Sequence, residues 1–158
     1  MGEGKAGWVR IGAMELRFHL DENDGSGDLV MFEFMVPPGA RVPEPHYHET
    51  VDEVIYGLEG TMTTMRDGER HEIRAGDSLL IRRGQVHHHA NHGEVPAKAM
   101  VVLNPGSIGR RYFEEIAEVV NVPGKPDLAR VREIMARHGL VPAEAPVVHG
   151  GGPVTGSA

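Results

Sequence analysis

From Met14 to about Leu103 the hydrophobic pattern of the chain has period two. Short alternating runs are broken by Asn23-Asp24-Gly25-Ser26-Gly27, Pro37-Pro38-Gly39, Asp67-Gly68, Ala75-Gly76-Asp77 and Arg83-Gly84. Successive strand side chains point to opposite faces, so short alternating runs with turn chemistry between them predict a sandwich or barrel. The run 29–36 sets Val30, Phe32, Phe34 and Val36 against Leu29, Met31, Glu33 and Met35, a strand covered on both faces. Asp67-Gly68 separates two six-residue alternating runs and supplies the positive φ that a two-residue hairpin turn demands. The expectation is an all-β domain over 14–104, preceded by an N-terminal segment, 1–13.

After Leu103 the period changes. Phe113, Ile116, Ala117 and Val120 fall at i, i+3, i+4 and i+7, one face of a helix. A second helix is predicted from Asp127 to His138, with Leu128, Val131, Ile134 and Met135 inward, Pro126 near its start and Gly139 past its end. Residues 105–140 thus read as a helical extension of structural character. The segment 141–158 ends in a Gly-rich run with little to bury and is expected to be a flexible tail.

Composition removes several function classes. A chain of 158 residues has the length of one domain. With 16 Lys and Arg against 23 Asp and Glu, a net charge of −7 and no basic block, nucleic acid and anionic membranes are not expected partners. There is no Cys, so disulfides, thiolate metal sites and a cysteine nucleophile are excluded. No apolar run reaches the ~18 residues of a membrane span, and no leader is visible, so a cytoplasmic location is expected.

The chemistry lies in the 10 histidines. His46 and His48 are two apart, which on a strand puts both imidazoles on one face. By themselves they could equally decorate a polar loop. Glu53 opens the next apolar run and can fold back on the pair through residues 49–52. Two imidazoles and a carboxylate converging from adjacent strands suit a divalent first-row metal, and His87, from a distant strand, is the candidate to close the set. His87, His89 and Asn91 share a face by alternation, so His89 is expected to line the same interior, where an unliganded imidazole could relay protons. Met62 and Thr64 are read as its continuing wall, with Met31, Met35 and Met100 as other lining candidates. His19, His71, His92, His138 and His149 are read as surface residues.

Two longer patterns now stand out. Gly39…His46-x-His48-x4-Glu53-x6-Gly60 resembles the first motif of the cupin superfamily, and Gly76-x5-Arg82-x-Gly84-x2-His87-x3-Asn91 resembles its second. The resemblance spans Gly39 to Asn91, and the strand pattern extends it to about 10–103. It implies a single-domain cupin, a jelly-roll-type β-barrel, with His46, His48, Glu53 and His87 as metal ligands and one divalent transition metal per chain (Fe, Mn, Ni, Zn or Cu). Two departures are visible. Six residues rather than the usual five separate Gly39 from His46, and position 82 is Arg where the family has Pro.

Small bacterial cupins of the quercetin-dioxygenase-like group are the nearest likeness. It implies a metal-dependent dioxygenase for a small phenolic or enol-type substrate, with Glu53 as base and His89 assisting. A metal-dependent lyase or isomerase, or a non-enzymatic cupin that binds a small ligand, uses the same residues. Open sheet edges and an outer apolar face at Val54, Tyr56 and Leu58 predict a homodimer. Three imidazoles that must be neutral to bind predict a steep loss of metal below about pH 6.

Overall fold

The computed structural model describes residues 7–42 and 44–143. Eleven strands and two helices follow one another. The first strands are β1 (Val9–Ile11), β2 (Met14–Leu20), β3 (Val30–Val36), β4 (His46–His48) and β5 (Asp52–Glu59). Then come β6 (Thr61–Arg66), β7 (Glu69–Arg74), β8 (Ser78–Ile81), β9 (His87–Ala90) and β10 (Ala97–Asn104). The helices α1 (Arg110–Val120) and α2 (Leu128–Arg137) precede β11 (Leu140–Pro142). Two sheets result, ordered β1-β2-β3-β10-β5-β8 and β11-β4-β9-β6-β7, with every strand pair antiparallel. This is the expected all-β, double-sheet architecture with two short C-terminal helices.

Alternation decides what each strand turns inward. In β5, Glu53, Ile55 and Gly57 are buried while Val54 and Tyr56 are exposed. In β3, Val30, Phe32, Phe34 and Val36 are buried, so Met31 and Met35 face outward, half-covered. Met100 of β10 is likewise half-buried, opposite Tyr56 and Glu33. The three methionines therefore sit on the outer face of the six-stranded sheet and do not line the interior, a correction to the sequence reading. Phenylalanines occupy the inner positions instead. Phe18 lies 5.1 Å from Phe32, and Phe113 of α1 lies 5.7 and 5.2 Å from the two, which seats the helix against the sheet.

Both ends of the chain join the sheets. Val9–Ile11 pairs with Met14–Leu16, inside the segment read as preceding the domain. Leu140–Pro142 pairs with β4, so the tail does not begin at 141. Its remainder, from 144 on, and His149 lie outside the described residues. Helix α1 buries Tyr112 and Ile116, and Glu22 of the β2–β3 loop caps it by accepting from Arg110 N at 2.7 Å and Arg111 N at 3.0 Å. Helix α2 has Asp127 as its N-cap and buries Val131, Ile134 and Met135 as expected. Leu128, expected inward, is 50% exposed. No described helix is long and apolar enough to cross a membrane.

The β6–β7 hairpin has the expected form. Arg66 pairs with Glu69, and both loop residues take positive φ, 49° at Asp67 and 82° at Gly68. Asp67 also has a second task. Its carboxylate accepts from Val86 N at 2.9 Å and Gln85 Nε2 at 3.0 Å, which anchors the loop that leads into His87. Asp67→Gly keeps the turn and removes this anchor, whereas Asp67→Ala also places a Cβ in left-handed backbone. Chemical denaturation is expected to show a loss of about 1 kcal/mol for the glycine variant and about 2 kcal/mol for the alanine variant. Equal stability of both variants and the unaltered chain would show that the anchor is dispensable.

Candidate metal centre

Strand geometry aims five polar side chains into one spot. His46 and His48 both point inward from β4, two residues apart. His87 and His89 do the same from β9, and His46 lies directly opposite His87 across the β4–β9 pair. Glu53 arrives from β5, in the facing sheet. The carboxylate therefore closes on the imidazoles across the sandwich rather than from an adjacent strand, as the sequence had suggested. All five are at least nine-tenths buried.

The distances suit a shared cation. Nitrogen donors of His46, His48 and His87 lie within 4.8 Å of one another, and so do donor atoms of Glu53, His87 and His89. Glu53 Oε2 is 3.3 Å from His87 Nε2 and 3.8 Å from His48 Nε2. Atoms bound at 2.0–2.2 Å to one ion can be no more than about 4.4 Å apart, so these pairs fit a common ligand sphere. The other ring nitrogens hold the donors in place. His46 Nδ1 donates to the Glu44 carbonyl at 3.0 Å and His87 Nδ1 to the Gln85 carbonyl at 2.9 Å, which directs each Nε2 lone pair inward. His87 Nε2 is then buried with no hydrogen-bond partner among the described residues. An orphaned imidazole nitrogen beside a carboxylate is a donor set for a divalent first-row metal.

His89 plays a different part. Its Nε2 donates to Glu53 Oε1 at 2.9 Å, and the Thr64 hydroxyl lies 2.8 Å from its Nδ1. Both ring nitrogens are thereby engaged. One carboxylate oxygen of Glu53 is held by His89, and the other faces His48 and His87. Thr64 and Met62 are fully buried in β6, the inner wall expected of them.

Burial and mutual repulsion set the charges. Burial, followed by the neighbouring His87 and His48, holds His46 well below the ordinary imidazole range. His48 is lowered to about 4, chiefly by burial. Burial would lower His87 too, but its contact with the Glu53 carboxylate outweighs that and raises it. Burial would raise Glu53, and the neighbouring His87 and His89 imidazoles outweigh that and hold it well below the usual carboxylate range.

Comparison with known proteins matches residues 32–103 to the cupin domain family. Residues 32–103 are a cupin domain. Among curated proteins, a tetracenomycin polyketide synthase protein of Streptomyces glaucescens is 35% identical over 68 residues, 43% of this chain and 45% of that one. Quercetin 2,3-dioxygenase of Bacillus subtilis is 32% identical over 85 residues, 54% of this chain and 25% of that one. The chain thus spans half or less of the length of these two relatives. Among solved structures, a predicted oxalate decarboxylase from Thermotoga maritima superposes with a TM-score of 0.55 at 25% identity, over 58% of this chain and 80% of that one.

The two departures from the cupin motifs have local solutions. In place of a proline, Arg82 donates its backbone N–H to Gln85 Oε1 at 2.9 Å, and Arg83 is held by Asp52, whose carboxylate accepts from Arg83 N at 2.8 Å. Side-chain hydrogen bonds thus replace a locked φ. The longer lead-in from Gly39 is stitched to β9, with Gly39 N donating to Asn91 O and Val42 N to His89 O, both at 2.9 Å. Motif glycines Gly39, Gly60, Gly76 and Gly84 all take positive φ, and a Cβ on Gly60 would collide with the Pro96 carbonyl.

His46, His48, Glu53 and His89 form the polar corner of an otherwise apolar cavity of about 110 Å³. Phe32, Phe34, Leu103 and Leu140 line it, together with Tyr112 and Ile116 of α1. The helical extension is therefore part of the site wall and not only structural packing. Sequence reasoning missed this because the helical period shows which face is buried and not what it is buried against. Burial alone pushes the Tyr112 phenol up, and no described group hydrogen-bonds it.

Proposed function

We propose that this protein is a metal-dependent dioxygenase for a small phenolic or enol-type substrate, with one divalent transition metal held by His46, His48, Glu53 and His87. The observation that carries the reading is an apolar, aromatic-lined cavity whose polar corner is His46, His48, Glu53 and His89, with His87 common to the two donor groups these residues form. The likeness to quercetin 2,3-dioxygenase supports it. When bound, such a metal polarises a substrate oxygen and provides open positions for dioxygen.

The chain's own residues do the rest. Phe32, Phe34 and Leu103 exclude water and hold a flat apolar ring. Glu53 Oε2 takes the hydroxyl proton of the entering phenol or enol. His89, donating to Oε1, fixes the carboxylate and spreads the transferred charge toward Thr64. An oxygen electrode with metal-loaded protein and a panel of flavonols and catechols should show uptake that Glu53→Gln abolishes, at least about a hundredfold below the unaltered chain. Turnover without oxygen uptake would favour the second reading, a metal-dependent lyase or isomerase, which the likeness to a predicted oxalate decarboxylase supports. Binding without turnover would mark a ligand-binding cupin.

The outer sheet face bears on assembly. Val54, Tyr56 and Leu80 are 38%, 45% and 43% exposed on adjoining strands β5 and β8, with Val54 directly opposite Leu80. A homodimer that covers this face is proposed. Light scattering should give about twice the chain mass of 17.2 kDa at micromolar concentration. Tyr56→Lys should return it to the single-chain mass, and a single-chain mass for the unaltered protein would reject the dimer.

A further inference from the structure

A second cavity, of about 90 Å³, lies outside the first, between the mouth of the double sheet and the two helices. The two share four lining residues, Val42, His46, Tyr112 and Ile116. Beyond that boundary the outer chamber is walled by Val120 of α1 and by Leu128, Val131 and Met135 of α2. Its acidic residue, Glu44, is clasped by Arg132 of α2 at 3.1 Å, and Glu44 also accepts from the His46 ring through its carbonyl. One ion pair thus ties the helix to the loop that positions a candidate ligand.

The sizes matter. An apolar cavity of roughly 150 Å³ is what takes a single benzene ring. The inner cavity is no larger than that, so a molecule bigger than one ring that meets the histidines must extend beyond it. Apolar space continues past Tyr112 and Ile116 into the outer chamber. The Tyr112 hydroxyl has no hydrogen-bond partner among the described residues, so turning it aside breaks no hydrogen bond there. Leu128, half exposed, marks where the outer chamber meets solvent.

We propose that the outer chamber is the second half of the ligand site and takes the apolar body of an elongated ligand whose oxygen-bearing ring lies in the inner cavity. The substrate class narrows to phenols or enols that carry a second ring or an equivalent apolar arm. Specificity then resides in α2, outside the matched 32–103 region. This inference rests on the proposed reading of the inner site as the place where the oxygenated ring binds.

The test uses phenol and 4-phenylphenol as probes, titrated by calorimetry into the full chain. The two-ring probe should bind about tenfold or more tightly than phenol, the gain expected for burying a further ring. Val131→Phe fills the outer chamber alone and should bring that ratio close to one while leaving phenol unchanged. Leu128→Trp, at a half-exposed position that tolerates bulk, repeats the test if the first variant melts early. Equal affinities in the unaltered chain, no binding of 4-phenylphenol, or a ratio unchanged in a folded variant would overturn the proposal. His48→Ala separates it from the reading of the inner site. If phenol affinity is the same in that variant while the two-ring preference persists, the outer chamber stands and the cluster reading falls.

Discussion

His87→Ala is expected to bind divalent metal at least about a hundredfold more weakly than the unaltered chain, with both sheets intact. Removing a partner that merely orients a ligand already costs about 10–100-fold, so losing a ligand costs more. His87 is the member common to both donor groups, within reach of His46 and His48 on one side and of Glu53 and His89 on the other. Its Nε2 is also buried without a hydrogen-bond partner among the described residues, so its lone pair is free for a metal. The fold should survive because β9 holds its place through backbone pairing with β6 and β4, which the substitution leaves untouched. Metal content by mass spectrometry after dialysis, with circular dichroism for the fold, checks both halves. One metal per chain retained in folded His87→Ala protein would refute the ligand assignment.

Acidification is expected to release the metal in two stages rather than in one steep step. His48, lowered to about 4, is largely neutral in the folded chain at pH 5, and His46 is lowered as well, so both compete less with metal there than free imidazoles would. His87, raised by Glu53, does compete. Metal affinity should therefore fall about tenfold per pH unit from near neutrality downward, the slope of one proton, and steepen only near pH 4 when His48 titrates. This replaces the three-proton loss below about pH 6 that the free-imidazole value had suggested.

The metal-free chain carries a separate pH dependence. A His lowered on folding stabilises least where the unfolded chain is protonated and the folded one is not, so stability is lost as pH falls from about 6.5 toward 4. For His48 alone the loss by pH 5 is on the order of 2 kcal/mol. His87 acts oppositely, since its raised value stabilises below about 6.5 and that gain fades as pH rises past it. Melts with and without chelator at pH 7.5 and pH 5 test both statements. The chelator should lower the midpoint by about 10 °C at pH 7.5 and by roughly half of that at pH 5. An equal chelator effect at both pH values would exclude protonatable imidazoles as the holders of the metal.

Much of this molecule was legible beforehand because it depends on local rules. Period-two alternation put Glu53 and Ile55 inside and Val54 and Tyr56 outside, and β5 obeys it. Asp67-Gly68 required a tight hairpin, and both residues take positive φ. The spacing of His46 and His48 required one shared face, whatever that face packed against. Gly139 ends α2 at a positive φ where the sequence placed its stop, because helix termination depends on residues within one turn of the helix end.

What the local pattern could not carry is the pairing of distant surfaces. Alternation sorts residues onto two faces but does not say which face a second sheet will cover, so Met31, Met35 and Met100 looked like lining and are outside. Glu53 was legible as a partner for the histidines, yet its arrival from the opposite sheet, and the bond that ties its Oε1 to His89, depend on how the two sheets stack. Helical periodicity marked Tyr112's neighbours Phe113 and Ile116 as buried without saying that α1 closes a cavity above the histidines. Identity and spacing along the chain determined which groups can ligate a metal. Only the packing of α1 and α2 over the sheet mouth, a matter of shape complementarity between elements far apart in sequence, decided how much room a ligand has beside them.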